Sequence, residues 1–183
     1  MSISNLAAAG VFALALSAGA AFAADAPGYG DGYNAPSSMM MSSTSAANWD
    51  GLYMGLYGGG LWSSGGGSTA AALGGIVGVN TTLGSGAVAG VEGQLGVITN
   101  GSASDFEGYL LGRLGVLLSN DAMLYGTAGF GSLESNGVFA VGGGLEMAVN
   151  SYMSVRGEVL GIGAWNGGGV SVGRATVGVL WHY

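Results

Sequence analysis

Every Arg and Glu inside the strand-like segments of this chain falls on one parity. From Asn48 to Tyr183 apolar and polar residues alternate with a period of two, and the Arg and Glu residues stand with the polar set. Glu92 and Gln94 stand against Ala89, Val91, Leu95 and Val97, and Glu107, Tyr109 and Arg113 stand against Phe106, Leu110, Leu114 and Val116. Glu146 opposes Phe139, Val141, Leu145 and Met147, and Ser154, Arg156 and Glu158 oppose Val155 and Val159. Arg174, Thr176 and His182 oppose Ala175, Val177, Val179, Trp181 and Tyr183. Successive side chains of a strand point to opposite faces, so a period of two reads as strand. Glycine, 40 of 183 residues, argues the same way, because each one costs a helix about 1 kcal/mol.

A soluble sheet protein would turn its apolar face inward and its charges to water. Only 7% of this chain is charged, against roughly 25% in ordinary soluble domains. There is no lysine, and the basic side chains are Arg113, Arg156 and Arg174. That is too little charge for an exterior and enough for a small interior, so the apolar face is expected to meet lipid. Strands in hydrocarbon must close, because an open edge would leave backbone groups unpaired. Turn signals divide the chain into strands at about 49–62, 70–80, 87–98, 106–118, 122–131, 138–149, 153–162 and 170–183, with Thr81–Gly86 as one turn. The expected fold is all-β: an eight-stranded antiparallel, up-and-down transmembrane β-barrel over residues 48–183.

Two segments precede it. Residues 1–23 read as a signal peptide, with an apolar stretch from Leu6 to Leu16 and a small-x-small site at Ala21-Phe22-Ala23. The stretch is short for a membrane helix of about 20 residues, and its leading end departs from the usual pattern in lacking Lys and Arg. Residues 24–47, with Pro27, Pro36 and the run Met39-Met40-Met41, read as a disordered linker. The methionines suit a soft metal; a flexible tether is the simpler reading.

Several functions are excluded or unsupported. A net charge of −7 argues against nucleic acid, which needs a basic surface. With no cysteine and a single histidine, His182, no metal site and no cofactor are expected; His182 itself is expected to make a hydrogen bond near the periplasmic rim. Gly58–Gly60 and Gly65–Gly67 lack the Lys and following helix of a phosphate loop. No nucleophile motif is visible, so an enzyme is not expected, although a triad assembled across strands stays open. Trp49, Trp62, Trp165 and Trp181 suit the aromatic girdles of a membrane barrel.

Opposed positions on antiparallel neighbours share a constant sum of residue numbers. Turns centred on Ser151, on Asn166 and between Ser102 and Ala103 would oppose Glu146 to Arg156, Glu158 to Arg174 and Glu92 to Arg113. With Glu107 these residues form the expected lumen charge network. Tyr53, Tyr57, Tyr109 and Tyr125 are expected to fill the lumen, with inward glycines leaving gaps.

Asn48-Trp49-Asp50-Gly51-Leu52-Tyr53-Met54-Gly55 resembles the opening strand of the small alphaproteobacterial outer-membrane β-barrel proteins, which are similar to the OmpA transmembrane barrel. Tyr109–Gly115, Leu124–Gly129, Gly142–Glu146 and Ser154–Glu158 resemble that family's fourth to seventh strands, and Arg174–Tyr183 its closing strand. The resemblance covers about residues 48–183 and departs from the family in the missing lysines and short outer loops, which put a receptor or adhesin role in doubt. It implies the outer membrane of a Gram-negative bacterium, contact with outer-membrane lipid, and no catalytic residues. It also implies an assembly signal in the closing strand (Val177, Val179, Trp181 and Tyr183) read by the barrel-assembly machinery. The expected function is structural, contributing to envelope integrity; the alternative is a narrow, porin-like channel for ions or small solutes. Oligomeric state stays open, a homo-oligomer included.

Overall fold

A computed structural model describes residues 48–66, 69–167 and 169–183. The expected signal peptide and the linker with its methionine run lie outside the described residues. Eight strands, β1 (Gly51–Ser63), β2 (Thr69–Leu83), β3 (Ala87–Thr99), β4 (Ser104–Ser119), β5 (Ala122–Leu133), β6 (Asn136–Asn150), β7 (Met153–Ala164) and β8 (Val172–His182), form one sheet. Each pairs antiparallel with the next, and β8 pairs with β1, so the sheet is a closed barrel. The turn expected over Thr81–Gly86 is shorter than its composition suggests. Thr81–Leu83 continue β2, paired to Ala87–Ala89, and only Gly84–Gly86 form the connecting 3-10 turn.

Closure has a definite stagger. Tyr53 opposes Gly78, and the row continues through Glu92, Leu111, Gly129, Ala140, Ile162 and Val172. Val172 opposes Ser63, so one circuit returns to β1 ten residues beyond its start. For eight strands this stagger sets a tilt of about 40° and a lumen that side chains can fill.

The two faces segregate as the parity requires. Leu56, Leu73, Leu95, Phe106, Leu114, Phe130 and Val177 are exposed on the outside. The charged side chains of the strand interiors are buried inside, and Asp50, Asp105, Asp121 and Glu134 stand exposed at strand ends. The lumen is more apolar than its charges suggest. At the end carrying Asn48 and Tyr183, here the near end, Trp49 packs on Val88, Met123 and Tyr125. At the far end Leu61, Ala72 and Ile98 on one side, and Val138, Ala140 and Ile162 on the other, are bridged by Leu133 and Val172. The polar network lies between these two apolar caps.

One tryptophan departs from the girdle expectation. Trp49 is only 5% exposed and folds across the near mouth, its indole N–H donating to the Asn120 carbonyl at 3.1 Å. It lies before β1, so strand parity does not govern it; covering the lumen buries a large ring at the one place where the wall ends.

Candidate functional site: a buried polar network

Register rows build the network. Tyr53, Tyr57 and Tyr125 point inward and each lies over glycine on the neighbouring strand. Tyr53 opposes Gly78, whose own partner is Glu92; Tyr125 opposes Gly144, whose partner is Glu158. Tyr57 crosses Gly74 and then Gly96, whose partner is Glu107. A Cβ on Gly78, Gly74, Gly96 or Gly144 would collide with the phenol above it. Each ring therefore spans its row and delivers its hydroxyl to the carboxylate beyond. Tyr53 donates to Glu92 at 2.6 Å, Tyr57 to Glu107 at 2.7 Å and Tyr125 to Glu158 at 2.9 Å. Tyr109 also lies against a glycine, Gly131 on β5, but turns its hydroxyl back along its own strand to donate to Glu107 at 3.3 Å. These inner glycines were expected to leave gaps; the tyrosines fill them.

The arginines occupy the space between these rows. Arg156 grips Glu92 with both guanidinium nitrogens, Nη1 to Oε2 at 2.6 Å and Nη2 to Oε1 at 2.9 Å. Arg113 donates to Glu146 at 2.8 Å and to the Tyr53 hydroxyl at 2.9 Å, with Glu92 at 3.4 Å, and its guanidinium carbon lies 4.1 Å from the Tyr125 ring centre. Arg174 sits between the rings of Tyr57 and Tyr109, at 5.0 and 4.9 Å, and donates to Glu107 at 3.0 Å and to Gln94. Its other contact is Glu158 at 3.4 Å. All seven expected network residues are at most 5% exposed. Ions so buried need paired charges and filled hydrogen-bonding positions; the tyrosines and Gln94 supply most of these, leaving the Nε of Arg113 and of Arg174 without a partner among the described residues.

The pairings differ from those expected. Glu146 does oppose Arg156, yet these two side chains do not pair: Glu146 takes Arg113, and Arg156 takes Glu92. Arg174 opposes Leu160, with Glu158 opposite Thr176; Arg113 opposes Gly90, with Glu92 opposite Leu111. Both expected contacts nevertheless form, at 3.4 Å, because long side chains reach diagonally. In a lumen this narrow, partners are chosen across the barrel as well as along the wall. Gln94, which donates to Glu92 at 2.7 Å and to Glu158 at 2.9 Å, joins two carboxylates that the sequence reading did not connect. Its signal was its parity, two residues from Glu92.

No protein-family model matches the chain, and no curated protein matches it in sequence.

A serine, a histidine and a carboxylate do meet near the near end. Ser154 Oγ donates to Glu146 Oε1 at 2.7 Å and lies 2.9 Å from His182 Nε2, which is itself 3.1 Å from Glu146 Oε1. In a nucleophile relay the base binds the serine through one ring nitrogen and its orienting carboxylate through the other. Here both contacts fall on Nε2, and Ser154 is 1% exposed, so the three form a structural hydrogen-bonded cluster. Among the described residues no group of His, Cys, Asp and Glu is arranged to hold a metal.

Of the expected assembly-signal residues, Val177 and Tyr183 are exposed; Val179 and Trp181 are partly exposed on the same outward parity. The Tyr183 amide donates to the Leu52 carbonyl at 2.9 Å, extending the β8–β1 seam past the end of β8.

Proposed function

We propose that this protein is a structural β-barrel of a Gram-negative outer membrane, with a lumen closed by its own side chains, contributing to envelope integrity. The observation that carries the reading is the inverted distribution of polarity around a closed barrel: apolar exterior, buried ions. In water such an exterior would drive association, whereas in hydrocarbon it is the required surface. Strands of 11 to 16 residues at about 3.3 Å per residue, tilted by about 40°, rise roughly 28–40 Å, which matches a bilayer core with its margins. A glycine-floored groove on the outer face, lined by Met54, Leu56, Val77, Leu95 and Trp181, suits an acyl chain. Three of the four far-end connections are longer than any at the near end, which fits a periplasmic near end.

The resemblance to the small alphaproteobacterial barrels points to the same function and to recognition of Val177, Val179, Trp181 and Tyr183 by the barrel-assembly machinery. Against the narrow-pore alternative stand the two apolar caps and the filled polar band. Reconstitution into planar bilayers tests the choice. No sustained conductance steps are expected; steady ohmic steps, abolished in protein denatured before reconstitution, would replace the structural reading with the pore.

A further inference from the structure

One register row breaks the rule that the tyrosines obey. Asn80 on β2 opposes Gly90 on β3, which opposes Arg113 on β4. The layout matches Tyr53–Gly78–Glu92, with a polar side chain leaning over glycine toward a charged one. A Cβ on Gly90 would collide with Asn80 Oδ1, so the carboxamide lies over that glycine. A phenol is long enough to span the row; a carboxamide is not. Asn80 is 3% exposed, yet neither Oδ1 nor Nδ2 has a hydrogen-bond partner among the described residues, and neither does the Nε of Arg113 at the other end of the row. Buried groups of this kind have lost their hydration with nothing to replace it.

We infer that the row holds a bound water molecule, seated over Gly90 and bridging Asn80 to Arg113 Nε. Water accepts from Nε–H and donates to Oδ1, satisfying both with one molecule, as buried waters commonly do. Local chemistry selects a neutral ligand. The carboxamide is uncharged, and the Arg113 guanidinium is already neutralised by Glu146 at 2.8 Å and Glu92 at 3.4 Å, so the row offers neither ion a counter-charge.

A crystal structure of the full chain in detergent, at a resolution that places ordered water, tests this. A density peak within hydrogen-bonding distance of the Asn80 carboxamide and Arg113 Nε is expected, with no anomalous signal there after bromide or rubidium soaks. A direct Asn80–Arg113 contact with no peak would overturn the inference, and so would anomalous bromide or rubidium at that position. Asn80→Leu, which keeps the size and removes the polar atoms, should lose the peak; a peak unchanged in that variant would show that Asn80 does not hold it.

Discussion

At the scale of single residues, the lumen works by pairing long side chains with absent ones. Gly78 has no side chain so that Tyr53 can reach Glu92, and the hydroxyl it delivers also accepts from Arg113. Gly78→Ala should therefore cost about 1–3 kcal/mol, the range for overpacking a filled core. Gly75→Ala, three residues away on the outer face, meets nothing nearer than the Gly55 carbonyl oxygen at 3.8 Å and should stay within about 0.5 kcal/mol. Unfolding free energies in detergent compare the two; equal costs would remove the Tyr53 seat as the cause. The arginines allow a sharper comparison. Arg156 is bidentate to Glu92 and unpaired with Glu146, the residue opposite it. Double-mutant cycles of Arg156→Ala with Glu92→Gln should give a coupling of about 2–3 kcal/mol, and with Glu146→Gln about 0.5 kcal/mol or less. The reverse ranking would mean that wall neighbours, not cross-lumen partners, hold the ions.

At the scale of elements, the β5–β6 hairpin shows a local preference overruled. Asn136-Gly137 is the strongest short-range turn signal in that region, because asparagine and glycine tolerate the positive φ values of a tight hairpin. The chain turns two residues earlier, at Glu134 and Ser135, which take φ of 50° and 65°. Turning at Asn136-Gly137 would keep the parity but slide β6, so that Tyr125 would face Ala148 and lose its seat over Gly144. The strain is held in the loop and relieved by substitution: Glu134→Asn with Ser135→Gly should raise stability by about 1–2 kcal/mol without moving the register. Lower stability, measured by equilibrium unfolding, would contradict this account. The closing strand carries a second element-scale expectation. A chain lacking Trp181, His182 and Tyr183 loses the Tyr183–Leu52 bond at the β8–β1 seam together with the His182–Ser154 contact. Its yield in the outer-membrane fraction should fall several-fold; undiminished yield would count against both the seam and the proposed assembly signal.

At the scale of the whole molecule, the ten-residue stagger decides which strands can share a side-chain contact. It places Glu92 of β3 near Arg156 of β7, 64 residues away, and Gln94 near Glu158. With eight strands the lumen is narrow enough for such contacts to span it. That narrowness also underlies the expected absence of conductance, since an ion would have to displace Trp49 at one end and, at the other, Leu133 and Val172, which join the Leu61 and Ile162 clusters. Seating four carboxylates and three guanidiniums in so small a space demands near-complete hydrogen bonding, which is why tyrosines and Gln94 are as necessary there as the ions.

The barrel class and the inward face of every network residue were legible in the sequence, because a period of two converts position directly into side and one parity held every strand Arg and Glu. Strand number and the central part of each strand followed from turn residues for the same local reason. The identity of each ion pair was not legible, since it depends on the stagger at closure, a sum over all eight registers. The two-residue offsets at Arg113 and Arg174, and the turn at Glu134-Ser135, preserve parity and so leave no trace in it. Trp49 shares the parity of Tyr53 and Tyr57, but it stands before β1, and alternation carries no sign that its ring folds across the mouth to reach the Asn120 carbonyl. Parity is local and survives in the sequence; closure is collective, and only the folded barrel decided who meets whom across the lumen.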